Sequence, residues 1–327
     1  MDKRLVVSSS PHVRASHTTH SIMRDVIIAL IPALLAGIYF YGLRALLVTL
    51  VSVISCVGFE WIWEKIFKRP ITIRDLSAVV TGLLLAFNLP ANVPLFVVIV
   101  GAFVAIILAK QVFGGIGQNF INPALAARAF LLAAYASSMR SFPVPTSGSF
   151  SLGFDAVTGA TPLEIIKSGV TEGLPSFMDA FIGNIGGCIG EASALALLIG
   201  AAYLLIRKVI GWCIPVCYIG TIFGLTFIVN GFSQGFSLNL LYQTFYSLFL
   251  GGIILGAFFM ATDYTTTPMT SKGQVIFAVG AGVITAVIRL YGGYPEGVSY
   301  SILFMNLTVP LIDMYIRKRR FGGGIKA

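Results

Sequence analysis

The chain has 327 residues, 57% hydrophobic and only 11% charged, with a mean hydropathy of +0.89. Apolar runs this many and this long exceed what one water-surrounded core can bury, which excludes a soluble domain. The formal net charge of +9 does not point to nucleic acid, because Lys and Arg fall in short clusters between apolar runs, where they report membrane orientation.

Residues 1–23 form a polar N-terminal segment with no signal-peptide pattern. All three histidines (His12, His17, His20) lie there, which leaves no His-based metal or proton site for the apolar spans. Five apolar segments follow, at roughly 24–42, 43–63, 74–89, 93–112 and 120–137. The third is short and runs into Asn88-Leu89-Pro90-Ala91-Asn92, so it reads as broken or tilted. A polar loop occupies 138–183. Five more segments fall at roughly 184–206, 211–230, 240–262, 274–291 and 297–316, before a basic tail over 317–327. The spacing predicts an all-α integral membrane protein of about ten transmembrane helices, with halves 24–137 and 184–316.

Loop charges give the orientation. One side collects Lys3, Arg4, Arg14, Arg24, Lys65, Lys68, Arg69, Arg74, Lys110, Arg207, Lys208, Lys272 and Arg317 to Arg320; the other holds little beyond Arg44, Arg140, Lys167 and Arg289. By the positive-inside rule both termini are cytoplasmic and the 138–183 loop is not. The halves also resemble each other: Asn119-Phe120-Ile121-Asn122-Pro123 opens the fifth segment, and Asn306-Leu307-Thr308-Val309-Pro310 lies in the tenth. An odd number of helices per half then implies a 5+5 inverted repeat, a plan shared by transporters and channels.

Few ionisable residues lie at membrane depth: Glu60, Arg128, Glu191 and Asp313, with Asp75 and Asp263 near segment ends. Snorkelling to the interface accounts for Glu60. Arg128 and Glu191 are left for ion coupling, for bracing a cofactor or for structural pairing. Thr265-Thr266-Thr267-Pro268 reads equally as a site lining or a capped helix end. Cys213 and Cys217 share a helix face, but without a second pair or a nearby His they read as packed thiols. No P-loop, dinucleotide fingerprint, HExxH or Gly-x-Ser-x-Gly elbow is present.

Within the loop stands Asp155-Ala156-Val157-Thr158-Gly159-Ala160-Thr161-Pro162. Small residues leave its backbone open, and Pro162 biases Thr161 to an extended conformation with its hydroxyl facing outward. On spacing alone it reads as a turn.

The run resembles the Asp-x-x-[Ser/Thr]-Gly-Ala-Thr sequence to which a flavin transferase attaches FMN through a phosphoester. Ser10-Pro11-His12, the stretch Ser21 to Ala33, Asn122-Pro123-Ala124, and Tyr294 to Ser301 with Met305-Asn306 are similar to further segments of the NqrB/RnfD family. The compact length favours the RnfD side of that family. The resemblance implies an electron-carrying membrane subunit of an ion-translocating ferredoxin:NAD oxidoreductase, not active alone, in the bacterial inner membrane. It implies FMN on Thr161, with Asp155, Thr158, Gly159 and Ala160 as the rest of the flavinylation motif, and a noncovalent riboflavin between the helices. Thr158 stands where Ser is commoner and offers a second hydroxyl. The implied partners are the other Rnf subunits (RnfA, RnfB, RnfC, RnfE and RnfG), the modifying transferase and the lipid bilayer. The alternatives are an NqrB-type subunit of a sodium-pumping quinone reductase, or a channel or solute carrier without redox chemistry.

Overall fold

The computed structural model describes residues 18–145, 158–159, 161–167, 175–293 and 296–316. Among the described residues helices dominate, and the sheet is a single two-stranded clip. Helix α1 (Thr19–Ile66) opens on a capping box: the Thr18 hydroxyl accepts from Ser21 N while the Ser21 hydroxyl engages the Thr18 backbone. That cap starts the helix several residues before the first apolar run. At 48 residues a straight helix would run about 72 Å, more than twice the hydrocarbon core. Gly42, at φ 69° and ψ −164°, breaks it into two apolar stretches at the boundary between the first two predicted segments.

Next come α2 (Ser77–Phe87), α3 (Leu95–Phe103) running on as π-helix over Val104–Gln111, and α4 (Pro123–Ala134), with α5 (Ala136–Met139) behind it. Strands β1 (Phe142–Pro143) and β2 (Thr158–Gly159) pair antiparallel, and the short helices α6 (Pro162–Lys167) and α7 (Phe177–Ile182) follow. The second half holds α8 (Ala194–Ile206), α9 (Cys213–Gln234), α10 (Leu238–Phe249), α11 (Ile253–Leu255) continuing as π-helix over Gly256–Met260, α12 (Ser271–Tyr291) and α13 (Val298–Tyr315). Among the described residues, α1, α9, α12 and α13 are long and apolar enough to cross a bilayer, and α10 with α11 adds a fifth candidate bent by 62°.

The apolar segments fall where hydropathy predicts, but several are not full spans. Helices α2, α4 and α8 have 11, 12 and 13 residues, roughly 16–20 Å each and short of a hydrocarbon core about 30 Å thick. The sixth predicted segment, 184–206, is helical only from Ala194; before it runs a buried stretch with one 3-10 turn at Ile189–Glu191. Hydropathy cannot distinguish buried irregular backbone from helix, since both are lined by small apolar residues. Such backbone survives at depth because protein groups satisfy it: Ile189 N donates to Leu89 O at 3.0 Å, and the Tyr41 hydroxyl donates to Ile185 O at 2.9 Å.

Close packing holds these short helices. The Ser52 hydroxyl of α1 donates to Gly82 O of α2 at 2.7 Å, and a Cβ on Gly82 would lie 2.7 Å from Val53 Cα. Gly82→Val therefore pushes α2 off α1 and should cost about 1–3 kcal/mol, lowering the unfolding midpoint in detergent. Gly220→Ala in α9 has open space around it and should stabilise by about 0.5–1 kcal/mol; equal effects of the two would refute the packing argument.

Candidate functional site

Two sites emerge, joined through the protein interior. At the first, β1–β2 pairing sets Phe142 opposite Gly159 and Pro143 opposite Thr158, clipping the loop motif to the chain just after α5. Thr161 then caps α6: its Oγ1 accepts from Glu164 N at 3.3 Å, and the Glu164 carboxylate accepts from Thr161 N at 3.1 Å. Thr161-Pro162-Leu163-Glu164 is a reciprocal capping box with Pro at the first helical position. Leu163 anchors α6 in a small cluster with Ala180, Ile185, Tyr246 and Leu250. Thr161 is consequently only 6% exposed, so its hydroxyl does not face outward as its sequence context suggests. The Thr-x-x-Glu spacing was the overlooked signal. Gly159 is exposed and Thr158 lies in β2, while Asp155 and Ala160 fall outside the described residues.

Glu164 also lines a cleft, with Arg128, Arg140, Phe142, Glu296 and Tyr300 among its walls. Arg128 projects from α4 and is buried. Its guanidinium donates to Asn88 Oδ1 at 2.7 Å and to the Glu296 carboxylate, and its Nη1 lies 3.7 Å from Glu191 Oε1. Arg128 and Glu191, singled out from sequence as separate charges, thus belong to one cluster. Glu296 and Asn88 join it without having been picked out as site residues, because each stands in a loop at a helix end.

The second site is a cavity between α1, α2, α4 and the α11 π-segment. Asn122 caps α4, accepting from Ala124 N and Leu125 N, and its amide donates to Met260 O at 3.4 Å. Asn306, with its amide turned to suit its neighbours, donates to Thr266 O and accepts from Asn122 N, both at 3.1 Å. The two Asn-Pro motifs noted in sequence therefore meet here. Asn119 donates to Thr265 Oγ1 at 3.0 Å, and Asp263 accepts from the hydroxyls of Thr265 and Thr266. The Thr265–Pro268 run is thus both a capped turn and, through Thr265, part of a cavity wall. The π-segments at Val104–Gln111 and Gly256–Met260 sit beside this cavity, and such bulges recur at functional sites.

Lys110 also lines the cavity and is 2% exposed, so it is no loop charge. Its Nζ contacts Glu60 at 2.8 Å and Ser77 Oγ at 2.6 Å, while Gln111 donates to the same carboxylate at 2.7 Å. Snorkelling therefore does not explain Glu60, which is fully buried and paired. Arg207 likewise pairs with the buried Asp25, at 3.2 Å. Cys213 and Cys217 remain free thiols.

A profile of the NQR2, RnfD, RnfE family matches residues 6–322. The chain belongs to that family. Among its relatives is the D subunit of the Na(+)-translocating ferredoxin:NAD(+) oxidoreductase complex of Acetobacterium woodii, 52% identical over 97% of this chain and 95% of the relative. The D subunit of the proton-translocating ferredoxin:NAD(+) oxidoreductase complex of Clostridium ljungdahlii is 44% identical over 97% of this chain and 96% of its own length. The D subunit of the ion-translocating oxidoreductase complex of Halorhodospira halophila is 36% identical over 96% and 94%.

The lining chemistry of both hollows can be set against flavins, the cofactors implied by resemblance to this family. The inner cavity combines apolar walls (Leu84, Ile210, Phe258, Phe259) with amide and hydroxyl groups from Asn119, Asn122 and Thr265, suited to a flat ring with polar edges. The outer cleft is lined by the aromatic Phe142 and Tyr300 and by Arg140.

Glu60→Leu strands the Lys110 ammonium in the interior and should cost about 3–5 kcal/mol, read as a fall in the unfolding midpoint. Adding Lys110→Met should recover most of the loss; a double variant as unstable as the single one would show that the pair is not the cause.

Proposed function

We propose that this chain is the D subunit of an ion-translocating ferredoxin:NAD oxidoreductase, an electron-carrying membrane protein that works with the other Rnf subunits. Its likeness to D subunits of that description along almost its whole length supports the assignment. The two relatives' names specify different ions, so the transported ion in this reading is Na+ or H+. Thr161 carries FMN through a phosphoester on Oγ1, within the motif of Asp155, Thr158, Gly159 and Ala160. A noncovalent riboflavin occupies the inner cavity.

The observation that carries the reading is the connection between the two hollows. Arg128, in the outer cleft, donates to Asn88; Asn88 donates to Met260 Sδ at 3.7 Å; and Asn122, on the inner cavity, donates to Met260 O. Met260 is thus touched from both sides, by Asn88 at its thioether and by Asn122 at its backbone oxygen, between the two proposed flavin seats. The flavins supply the electron chemistry when bound, and the protein supplies position and local polarity. Thr161 offers the attachment oxygen beside the outer cleft. Asn119, Asn122 and Thr265 orient a ring at the inner one.

The proposed setting is the bacterial inner membrane, with both termini cytoplasmic and the Thr161 loop outside. The cluster of exposed Lys65, Lys68, Arg69 and Arg74 at and just beyond the end of α1 supports this orientation. The two five-segment halves are read as an inverted repeat, which the meeting of Asn122 and Asn306 favours.

Co-expression with a flavin transferase should give a band that fluoresces on a denaturing gel. Thr161→Val should abolish it and Thr158→Val should keep it; fluorescence surviving in Thr161→Val sinks the attachment. A colourless wild-type chain that passes solute without any electron donor would instead identify a carrier. For the inner flavin, Asn119→Leu should leave the covalent band intact and weaken retention of acid-released flavin about tenfold, equivalent to one lost hydrogen bond of about 1.4 kcal/mol. Unchanged retention would place the riboflavin elsewhere.

A further inference from the structure

Arg128 and Glu296 line the outer cleft and Glu191 lies beside Arg128, and the hydrogen bonds of these three do not balance. Arg128 is committed to Asn88 and Glu296. Arg289 of α12, the other guanidinium near the cluster, directs its nitrogens to the carbonyl oxygens of Ser247, Leu250 and Glu296. Glu191 is left over: its side chain is only 4% exposed, and its Oε1 has no hydrogen-bond donor. That oxygen is aimed at the break between α10 and α11, where a Cβ on Gly252 would lie 2.8 Å from it. A buried carboxylate oxygen without a donor is costly as an anion, while Arg128 at 3.7 Å offsets part of that cost, so the group is poised between its two protonation states.

A metal ion is the competing occupant, since Cys188, Glu191 and Glu296 offer ligand atoms within 4.8 Å of one another. Arg128 already supplies the cation between these carboxylates, at 3.7 Å from Glu191 and in direct contact with Glu296. A proton needs only one free oxygen and no coordination shell, which is what Glu191 presents.

We propose that Glu191, sharing Arg128 with Glu296, is a proton-binding site that offsets the negative charge arriving on the flavin at Thr161. The inference rests on the flavin reading of Thr161, whose capping partner Glu164 lines the same cleft as Glu296 and Arg128. One electron from a one-electron donor is matched by one proton from solvent hydronium, whose O–H bond breaks as an O–H bond forms on the Glu191 carboxylate. Glu296, which faces the cleft, passes the proton inward. When the electron leaves, that O–H bond breaks and the proton departs, so the charge of the region is the same before and after. The groups facing Glu191 are Arg128 from α4, Arg289 from α12, Glu296 ahead of α13, Tyr41 from α1 and Cys188 on its own segment. Glu296 is the other carboxylate among them, and Arg128 holds its Oε2.

The test is reduced-minus-oxidised infrared spectroscopy on the full-length chain carrying its covalent flavin, with dithionite as reductant, in water and in D2O. The expected result is a carboxylic-acid carbonyl band that appears on reduction and shifts in D2O. Glu191→Gln, which keeps shape and volume, should remove the band. Glu296→Gln should keep the band but slow its appearance. The flavin midpoint potential should also lose pH dependence in Glu191→Gln, by up to about 59 mV per pH unit for a one-electron couple. A band unaltered in Glu191→Gln overturns the proposal, as does a potential that follows Na+ concentration in place of pH. Failure of the flavin reading is distinguishable, because it appears as covalent fluorescence persisting in Thr161→Val whatever the infrared result.

Discussion

Arg128 ties together segments that are otherwise ends without continuation. From α4 its guanidinium reaches Asn88 where α2 stops, Glu191 in the irregular run before α8, and Glu296 ahead of α13. Each of these segments breaks off inside an apolar protein, where loose backbone and single charges are expensive. A buried guanidinium has five donors in a fixed plane, so one side chain can serve several ends at once. The broken helices and the outer cleft depend on that contact.

The same logic recurs across the molecule in a different chemical form. Around the inner cavity, amides do the joining: Asn122 caps α4, reaches Met260 and meets Asn306. At its border, Lys110 and Glu60 neutralise each other between α1 and the π-segment, with Ser77 and Gln111 completing the set. Most buried polar groups are therefore gathered in a few clusters, and the hollows lie beside those clusters. A flat, polar-edged cofactor suits such places, because it finds apolar faces and a small number of directed partners together.

Local chemistry was legible in the chain wherever the physics is local. The split at Gly42, the stop at Asn88-Leu89-Pro90 and the polar Thr158–Pro162 stretch all follow from residue type and spacing. The capping box at Thr161 was equally local, with Glu164 three residues on, yet the motif drew attention away from the helix it starts. Segment lengths were less legible. The run before Ala194 is as apolar and small-residued as a helix, and only its packing against Leu89 and Tyr41 shows that it is not one.

By itself, the sequence determined the membrane class, the order of the apolar segments and the motif around Thr161, because hydropathy and turn chemistry act over a few residues. The tertiary structure alone decided which charges meet. Arg128 finds Glu296 across 168 positions and Asn88 across 40, and Lys110 finds Glu60 across 50. No local pattern encodes such pairs: a buried charge selects its partner by the cost of lacking one, and that cost exists only once the helices have closed around it.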